Sequence, residues 1–228
     1  LMASADVFVF PSLTDTFDLS VAGNGDNGDT VTVEVTPNDG TANGTMVSDS
    51  ASVGNAAPVV DTVVIDQSNP TTNQTLSVTV TSHDNDNDPV TYAYTWTRND
   101  RPMQPGPEPA RVEASRVAKG ERWRCTATPS DGINPGPSAS TERLVANTPP
   151  GPAVVRLEPS APRSGEPVRC DFVSKSEDPD GDAVRYRFSW QRNGIAQPFA
   201  DSSQEVPPRL VKSGDRWRCS VIPTDGSE

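Results

Sequence analysis

The sequence predicts an all-β protein built of repeated antiparallel β-sandwiches, and three observations support this prediction. Similar segments recur along the 228-residue chain. Short runs of apolar residues alternate with polar ones, which is the period of strands with one buried face. The chain also holds 23 proline and 16 glycine residues. They leave little room for long helices, because proline removes a backbone donor and glycine costs backbone entropy.

The repeat is clearest in a run that starts with Gly-Asp or Gly-Glu and ends with Asp-Gly. It occupies residues 28–40, 120–132 and 214–226, which gives a period of about 93 residues. An acidic loop followed by an alternating strand that ends in tryptophan also recurs, at 84–96 and 178–190. The period is close to the ~100 residues of an immunoglobulin-like (Ig-like) sandwich. The sequence therefore predicts tandem Ig-like antiparallel β-sandwiches.

The joints between modules share the pattern Val-x-Asn-x-x-Pro, which begins at Val53 and again at Val145. We expect residues 1–55 to be a partial module with C-terminal strands, 56–147 a complete module, and 148–228 a module lacking its last strand. Both terminal modules are thus expected to be incomplete, and the neighbouring modules of the array are the first expected partners.

Within a module the expected strand order is A, B, C, a proline-rich crossing, E, F and G. Strand A is expected near Val59–Ile65 and near Ala153–Leu157. Turn residues bound the runs, as Asn-Asp at 99–100 and Asn-Gly at 193–194.

The tryptophans are expected in the cores. Trp96 and Trp190 end the third strand of their modules, where an Ig-like core places a buried ring. Trp123 and Trp217 each lie two residues before a cysteine on strand F. Burial in a core is favoured over a sugar-stacking platform, because aromatic side chains contribute most to cores.

The cysteines indicate an oxidising compartment. The order Cys170, Trp190, Cys219 matches the B–F disulfide of an Ig-like sandwich with its tryptophan between. A disulfide implies an oxidising location. In the middle module Val78 fills the strand B position, so Cys125 is expected to be a buried, unpaired thiol rather than a nucleophile.

Two acidic loops are the best candidate chemistry. Each places three aspartates at alternate positions between strands B and C. In an Ig-like sandwich the B–C and F–G loops lie at the end where strand A begins, so each triplet should meet the F–G aspartate and the linker asparagine. The expected clusters are Asp84, Asp86, Asp88, Asp131 and Asn55, and Asp178, Asp180, Asp182, Asp225 and Asn147.

Converging oxygen ligands suit Ca²⁺, which takes 6–8 of them. A calcium ion there would stiffen the joint between modules. The alternative is a solvated polar turn, since Asp, Asn, Pro and Gly are ordinary turn residues. Neither loop has the glutamate that completes an EF-hand.

The charge excludes some partners. The net charge is −12, from 19 basic and 31 acidic residues. The acidic excess lies in the first 100 residues, where there are 14 acidic residues and Arg98 is the only Lys or Arg. An acidic chain is a poor partner for nucleic acid, and no run approaches the ~20 apolar residues of a membrane helix.

Several motifs together carry a resemblance to a known class. These are the Asn-x-x-Pro joint, the loop Asp-Pro-Asp-Gly-Asp at 178–182, the strand Val-x-Tyr-x-Phe-x-Trp at 184–190, and the run Gly-Asp-x-Trp-x-Cys from Gly214. They resemble tandem Ig-like repeats of large bacterial surface and secreted proteins, related to PKD and cadherin-like modules. The resemblance implies stalks or spacers in adhesins, or accessory modules beside secreted enzymes. Asn85 and Asn87 depart from it in the first loop.

Residues 3–17, Ala-Ser-Ala-Asp-Val-Phe-Val-Phe-Pro-Ser-Leu-Thr-Asp-Thr-Phe, resemble a strand–loop segment of GT-B glycosyltransferases near their sugar-nucleotide site. That family continues with a glycine and a helix carrying a glutamate, whereas here Asp18 to Gly23 lead into the repeat. Glycosyl transfer is not inferred from it.

The favoured function is a non-catalytic structural or adhesive repeat. The alternative is a carbohydrate- or protein-binding accessory module that uses Tyr92, Tyr186 and Trp190 to meet a cell-surface protein or glycan. No Ser/His/Asp set or nucleotide loop is visible. The sequence therefore predicts that the chain is not an enzyme.

Overall fold

The computed structural model describes residues 27–104 and 106–227, and strands dominate them. The helical elements within these ranges are two short 3-10 turns, Ala114–Arg116 and Pro208–Leu210. No helix in the described ranges is long and apolar enough to cross a membrane. The segment at 3–17 lies outside the described residues.

The chain divides into two compact units. The first holds the described residues up to Ser68 together with Ser77–Val112 and Trp123–Arg143, and the second holds Asn69–Leu76, Glu113–Arg122 and the residues from Leu144 onward. This division follows compactness and does not test the module boundaries at 55/56 and 147/148, which stay predictions.

The described part of the first module, from residue 27 onward, contains a hairpin of two antiparallel strands. Strand β1 spans Thr30–Val35 and β2 spans Val47–Ser52. Thr30 lies opposite Ser52 and Val35 opposite Val47, so the hairpin keeps one register from end to end.

Leaving aside residue 105, which is not described, the middle module has seven strands in two sheets. In chain order they are β3 Val59–Ile65, β4 Leu76–His83, β5 Thr91–Arg98, β6 Arg101–Met103, β7 Arg111–Val112, β8 Arg122–Ser130 and β9 Ala139–Leu144. One sheet has the order β3-β4-β7 and the other β6-β5-β8-β9. These are the sets A-B-E and C′-C-F-G, the arrangement of an Ig-like sandwich.

The third module repeats the arrangement. Its strands are β10 Val154–Glu158, β11 Val168–Ser174, β12 Arg185–Arg192, β13 Ile195–Ala196, β14 Glu205–Val206 and β15 Trp217–Thr224. The sheets have the orders β10-β11-β14 and β13-β12-β15. The predicted all-β fold of tandem Ig-like sandwiches is confirmed.

Alternation along the strands places the core. On β8 the inward residues Trp123, Cys125, Ala127 and Pro129 are all buried, while the residues between them face outward or are half-buried. In the third module the buried core comprises Val168, Cys170, Phe188, Trp190, Val206 and Val211. Each sandwich therefore has a small core one side chain deep from each sheet.

The sequence missed the short strands β6 and β13, which stand where a proline-rich crossing was expected. Each pairs antiparallel with the strand before it across a two-residue turn. Both turn residues have positive φ, Asn99 and Asp100 in one and Asn193 and Gly194 in the other. Such turns join the two strands of a hairpin, so Asn-Asp and Asn-Gly were the available signal.

The cysteines lie as predicted. Cys170 and Cys219 form a disulfide between β11 and β15. Cys125 is a free, fully buried thiol, and burial raises its pKa to about 12. A thiol that stays protonated at neutral pH is a poor nucleophile, so Cys125 serves packing.

We expect the variant Val78→Cys to form a disulfide with Cys125. Val78 lies opposite Ile65 as Cys170 lies opposite Leu157, and Cys125 lies opposite Trp96 as Cys219 lies opposite Trp190. The cross-link should raise the free energy of unfolding by about 2–4 kcal/mol, measured by denaturant titration with and without reductant.

The matched control is Val80→Cys, two residues further along the same strand and on the same face. Its thiol should remain titratable after oxidation. Free thiols in oxidised Val78→Cys would contradict the equivalence of the two B strands.

Candidate functional site

The first acidic loop, residues 84–88, joins β4 to β5 and is shaped by its own first aspartate. The Oδ1 atom of Asp84 accepts hydrogen bonds from the backbone N of Asp86 at 2.8 Å and of Asp88 at 3.4 Å. This turn brings one oxygen from each of the three carboxylates within 4.8 Å of the others. The predicted convergence of alternate aspartates is therefore present.

The second acidic loop, residues 178–182, has the same geometry. Asp178 Oδ1 accepts from the backbone N of Asp180 at 2.8 Å and of Asp182 at 3.3 Å. Gly181 has φ 79° and the corresponding Asn87 has φ 59°. The departure at Asn87 thus keeps the turn, since asparagine tolerates the left-handed region better than most residues.

The linker before the middle module is tied to the first loop and to the F–G loop. The backbone N of Ala56 donates to Asp86 Oδ2 at 2.7 Å, and Asn55 Nδ2 donates to Asp131 Oδ2 at 2.7 Å. These bonds fix the entry of β3 at two points.

The linker before the third module has the same two bonds. The backbone N of Thr148 donates to Asp180 Oδ2 at 2.6 Å, and Asn147 Nδ2 donates to Asp225 Oδ2 at 2.7 Å. At each linker the structure thus bonds the asparagine to the F–G aspartate and a backbone N–H to the middle aspartate of the acidic loop.

The two sites differ at the residue contributed by the end of the preceding module. Asn27 Nδ2 donates to Asn55 Oδ1 at 3.2 Å. At the corresponding position of the repeat, Lys119 Nζ lies 2.6 Å from Asn147 Oδ1 and 2.6 Å from Asp182 Oδ2. The second site therefore contains a positive charge from the chain itself.

The pKa shifts follow these contacts. Hydrogen bonds from Asn55 and Asn147 lower the pKa of Asp131 and of Asp225, respectively, and backbone donors add to the effect. In the first loop, desolvation and then repulsion from the neighbouring aspartates raise the pKa of Asp88. The first loop thus concentrates the negative charge of three neighbouring carboxylates.

Each loop contains carboxylate oxygens that are shielded from solvent and accept no hydrogen bond. They are Asp84 Oδ2, Asp178 Oδ2 and Asp180 Oδ1. A buried polar atom without a partner is unusual, and a hard cation with oxygen ligands would satisfy it. On this ground the donor sets of both loops fit calcium.

A glycine of the F–G loop packs against the linker. A Cβ atom built on Gly136 would lie 1.8 Å from the backbone oxygen of Pro58, so no larger residue fits there without movement of the backbone. Sequence reasoning missed this contact, although the Pro-Gly-Pro at 135–137 was a visible signal.

The aromatic side chains proposed for an alternative binding surface lie in or beside the cores. Trp96 is 4% and Trp190 1% exposed, and each indole Nε1 donates to a backbone oxygen. The half-buried Tyr92 bonds to Ser82, and the half-buried Tyr186 accepts from the backbone of Ser176. The expected core role of Trp96 and Trp190 is confirmed.

No protein-family model and no curated protein matches the sequence. Among solved structures, the FN1–FN3 domains of chicken CNTN1 match at 13% identity over 81% of this chain and 69% of that chain, with a TM-score of 0.32. The fibronectin(III)-like modules of Clostridium thermocellum CbhA match at 18% identity over 72% of this chain and 86% of that chain, with a TM-score of 0.24. Likenesses this distant carry no argument about function, and the fold assignment depends on the strand order above.

Proposed function

We propose that the chain is a non-catalytic spacer from a bacterial surface or secreted protein, in which tandem Ig-like modules hold other parts at a distance. The observation that carries the proposal is the repeated linker clamp, in which an asparagine side chain and a backbone N–H bond to two aspartates of the following module. Such a clamp orders the linker at the start of each following module, which is a property a spacer needs.

The disulfide supports an extracellular or cell-surface location. The Cys170–Cys219 bond needs an oxidising compartment to form and persist. A spacer outside the cell also meets millimolar calcium, the concentration range in which extracellular modules bind this ion.

We further propose that calcium stiffens the first joint. Asp84, Asp86 and Asp88 would hold the ion, with Asp131 and Asn55 beside them. The ion would supply the positive charge that the loop lacks, and it would satisfy the shielded Asp84 Oδ2.

A calcium titration tests this proposal. We expect millimolar Ca²⁺ to raise the melting temperature of the intact chain by a few degrees, because a ligand of the folded state stabilises it by mass action. Asp84→Asn keeps the Oδ1 acceptor of the turn but removes the shielded carboxylate oxygen, so it should abolish most of the shift.

The matched control is Asp100→Asn, which removes one charge in a turn where asparagine also suits the positive φ. It should keep the full calcium shift. An unchanged melting temperature in wild type at millimolar Ca²⁺ would refute the calcium proposal and leave the spacer proposal to other tests.

A carbohydrate- or protein-binding module is the less favoured alternative. Two of its proposed residues have structural roles, because Trp190 is buried and the hydroxyl of Tyr186 accepts a hydrogen bond from the backbone N of Ser176. A spacer needs none of these side chains on the surface.

A further inference from the structure

Lys119 reaches from the end of the middle module into the second acidic loop. Its ammonium lies 2.6 Å from Asp182 Oδ2 and 2.6 Å from Asn147 Oδ1. An ammonium has three donors, so two of them are used within this site. Asn147 also donates to Asp225 of the F–G loop, so this side chain links the lysine to the F–G loop while the lysine itself bonds the second acidic loop.

The backbone around Lys119 is held in place. Its own N–H donates to Thr72 Oγ1 at 2.8 Å, and the backbone N of Gly120 donates to the Val145 oxygen at 2.9 Å. The backbone N of Thr72 in turn donates to Thr148 Oγ1 at 3.0 Å, beside Asp180. The backbone at Lys119 is therefore held by hydrogen bonds to residues at and near the linker, and this places its ammonium at the loop.

The first joint has a neutral residue at the position that aligns with this lysine. Asn27 stands at the corresponding position, and residues 1–97 contain no Lys or Arg.

We propose that Lys119 is the resident counter-ion of the second acidic loop, so that this joint is held by a lysine ammonium in place of a divalent cation. A calcium ion at Asp178, Asp180 and Asp182 would have to displace the ammonium that is bonded to Asp182. One loop can hold a metal ion or the lysine, because both would compete for the same carboxylates and like charges repel. The array then combines a first joint that responds to calcium with a second joint that Lys119 holds in the absence of metal.

The part of this inference that concerns the first joint depends on the proposed calcium function, and the experiment separates the two. Calcium binding to the intact chain is measured by isothermal titration calorimetry for wild type, Lys119→Gln and the control Lys212→Gln, an exposed lysine with the same change in charge. We expect one calcium ion per chain for wild type and the control, and two for Lys119→Gln. Two ions bound by wild type would overturn the inference while leaving the calcium function intact.

If neither wild type nor either variant bound calcium, the calcium function alone would be refuted. A measurement without metal then tests the role of Lys119. In EDTA at low ionic strength, Lys119→Gln should unfold at a lower denaturant concentration than the Lys212→Gln control. The difference should shrink near 1 M NaCl, where the screening length is about 3 Å. Equal midpoints of the two variants at low ionic strength would overturn the role of Lys119.

Discussion

Replacing Cys170 by valine and Cys219 by alanine should lower the free energy of unfolding of the third module by about 2–5 kcal/mol. The bond joins residues 49 positions apart in sequence, so its loss gives the unfolded chain a large gain in freedom. Valine at strand B is the solution already found in the middle module, where Val78 is buried. Denaturant titration of the intact chain, with hydrogen exchange to locate the loss, is the measurement.

Reductant provides the control. It should lower the unfolding midpoint of wild type and leave the double variant unchanged, since the remaining Cys125 is unpaired in both. A wild-type midpoint that does not respond to complete reduction would show that the bond contributes no stability.

Trp190→Ala should cost about 3–5 kcal/mol, the range for removing a large aromatic side chain from a core. The indole is 1% exposed, and its Nε1 donates to the Ser203 oxygen at 2.8 Å. It also packs edge-on against Trp217, with ring centroids 6.3 Å apart. This loss approaches the free energy of unfolding of a small domain, so Trp190→Ala could leave too little folded module to study. The milder variant Trp190→Phe is therefore measured separately, because it should leave the module folded.

The neighbouring exposed residue gives the matched control, and Ser189→Ala should change the midpoint little. A glycan-binding measurement distinguishes a role of Trp190 in core packing from a role in ligand recognition. If Trp190→Phe folded normally but lost binding to a glycan that wild type retains, the indole would belong to a binding surface and the spacer proposal would give way to the alternative.

The fold was accessible from the sequence because its signals are local and repeated. Alternation around Trp96 and Trp190 and the period of the Asp-Gly turns are independent of distant contacts. The strands β6 and β13 were missed because they are only three and two residues long, too short for alternation to show. Their turn residues were the sole indication.

The candidate site was accessible only in part. The positions of Asp131 and Asp225 near the linkers could be predicted, because the position of the F–G loop follows from the strand order. The role of Lys119 could not be predicted from the repeat. The repeat aligns it with Asn27, and a repeat reveals only the residues that its copies have in common. A side chain that makes the two joints differ is found by its contacts with Asn147 and Asp182.

The linker clamp has a consequence for a chain under tension. Asn147 is held by Asp225, which lies 78 positions further along the chain at the end of β15. When force extracts β15 and unfolds the third module, Asp225 and Asp180 leave together, and the linker in front of that module loses its anchors. Each unfolding event would therefore release the joint on its N-terminal side as well, so the array would lengthen in steps larger than one module and dissipate force one joint at a time.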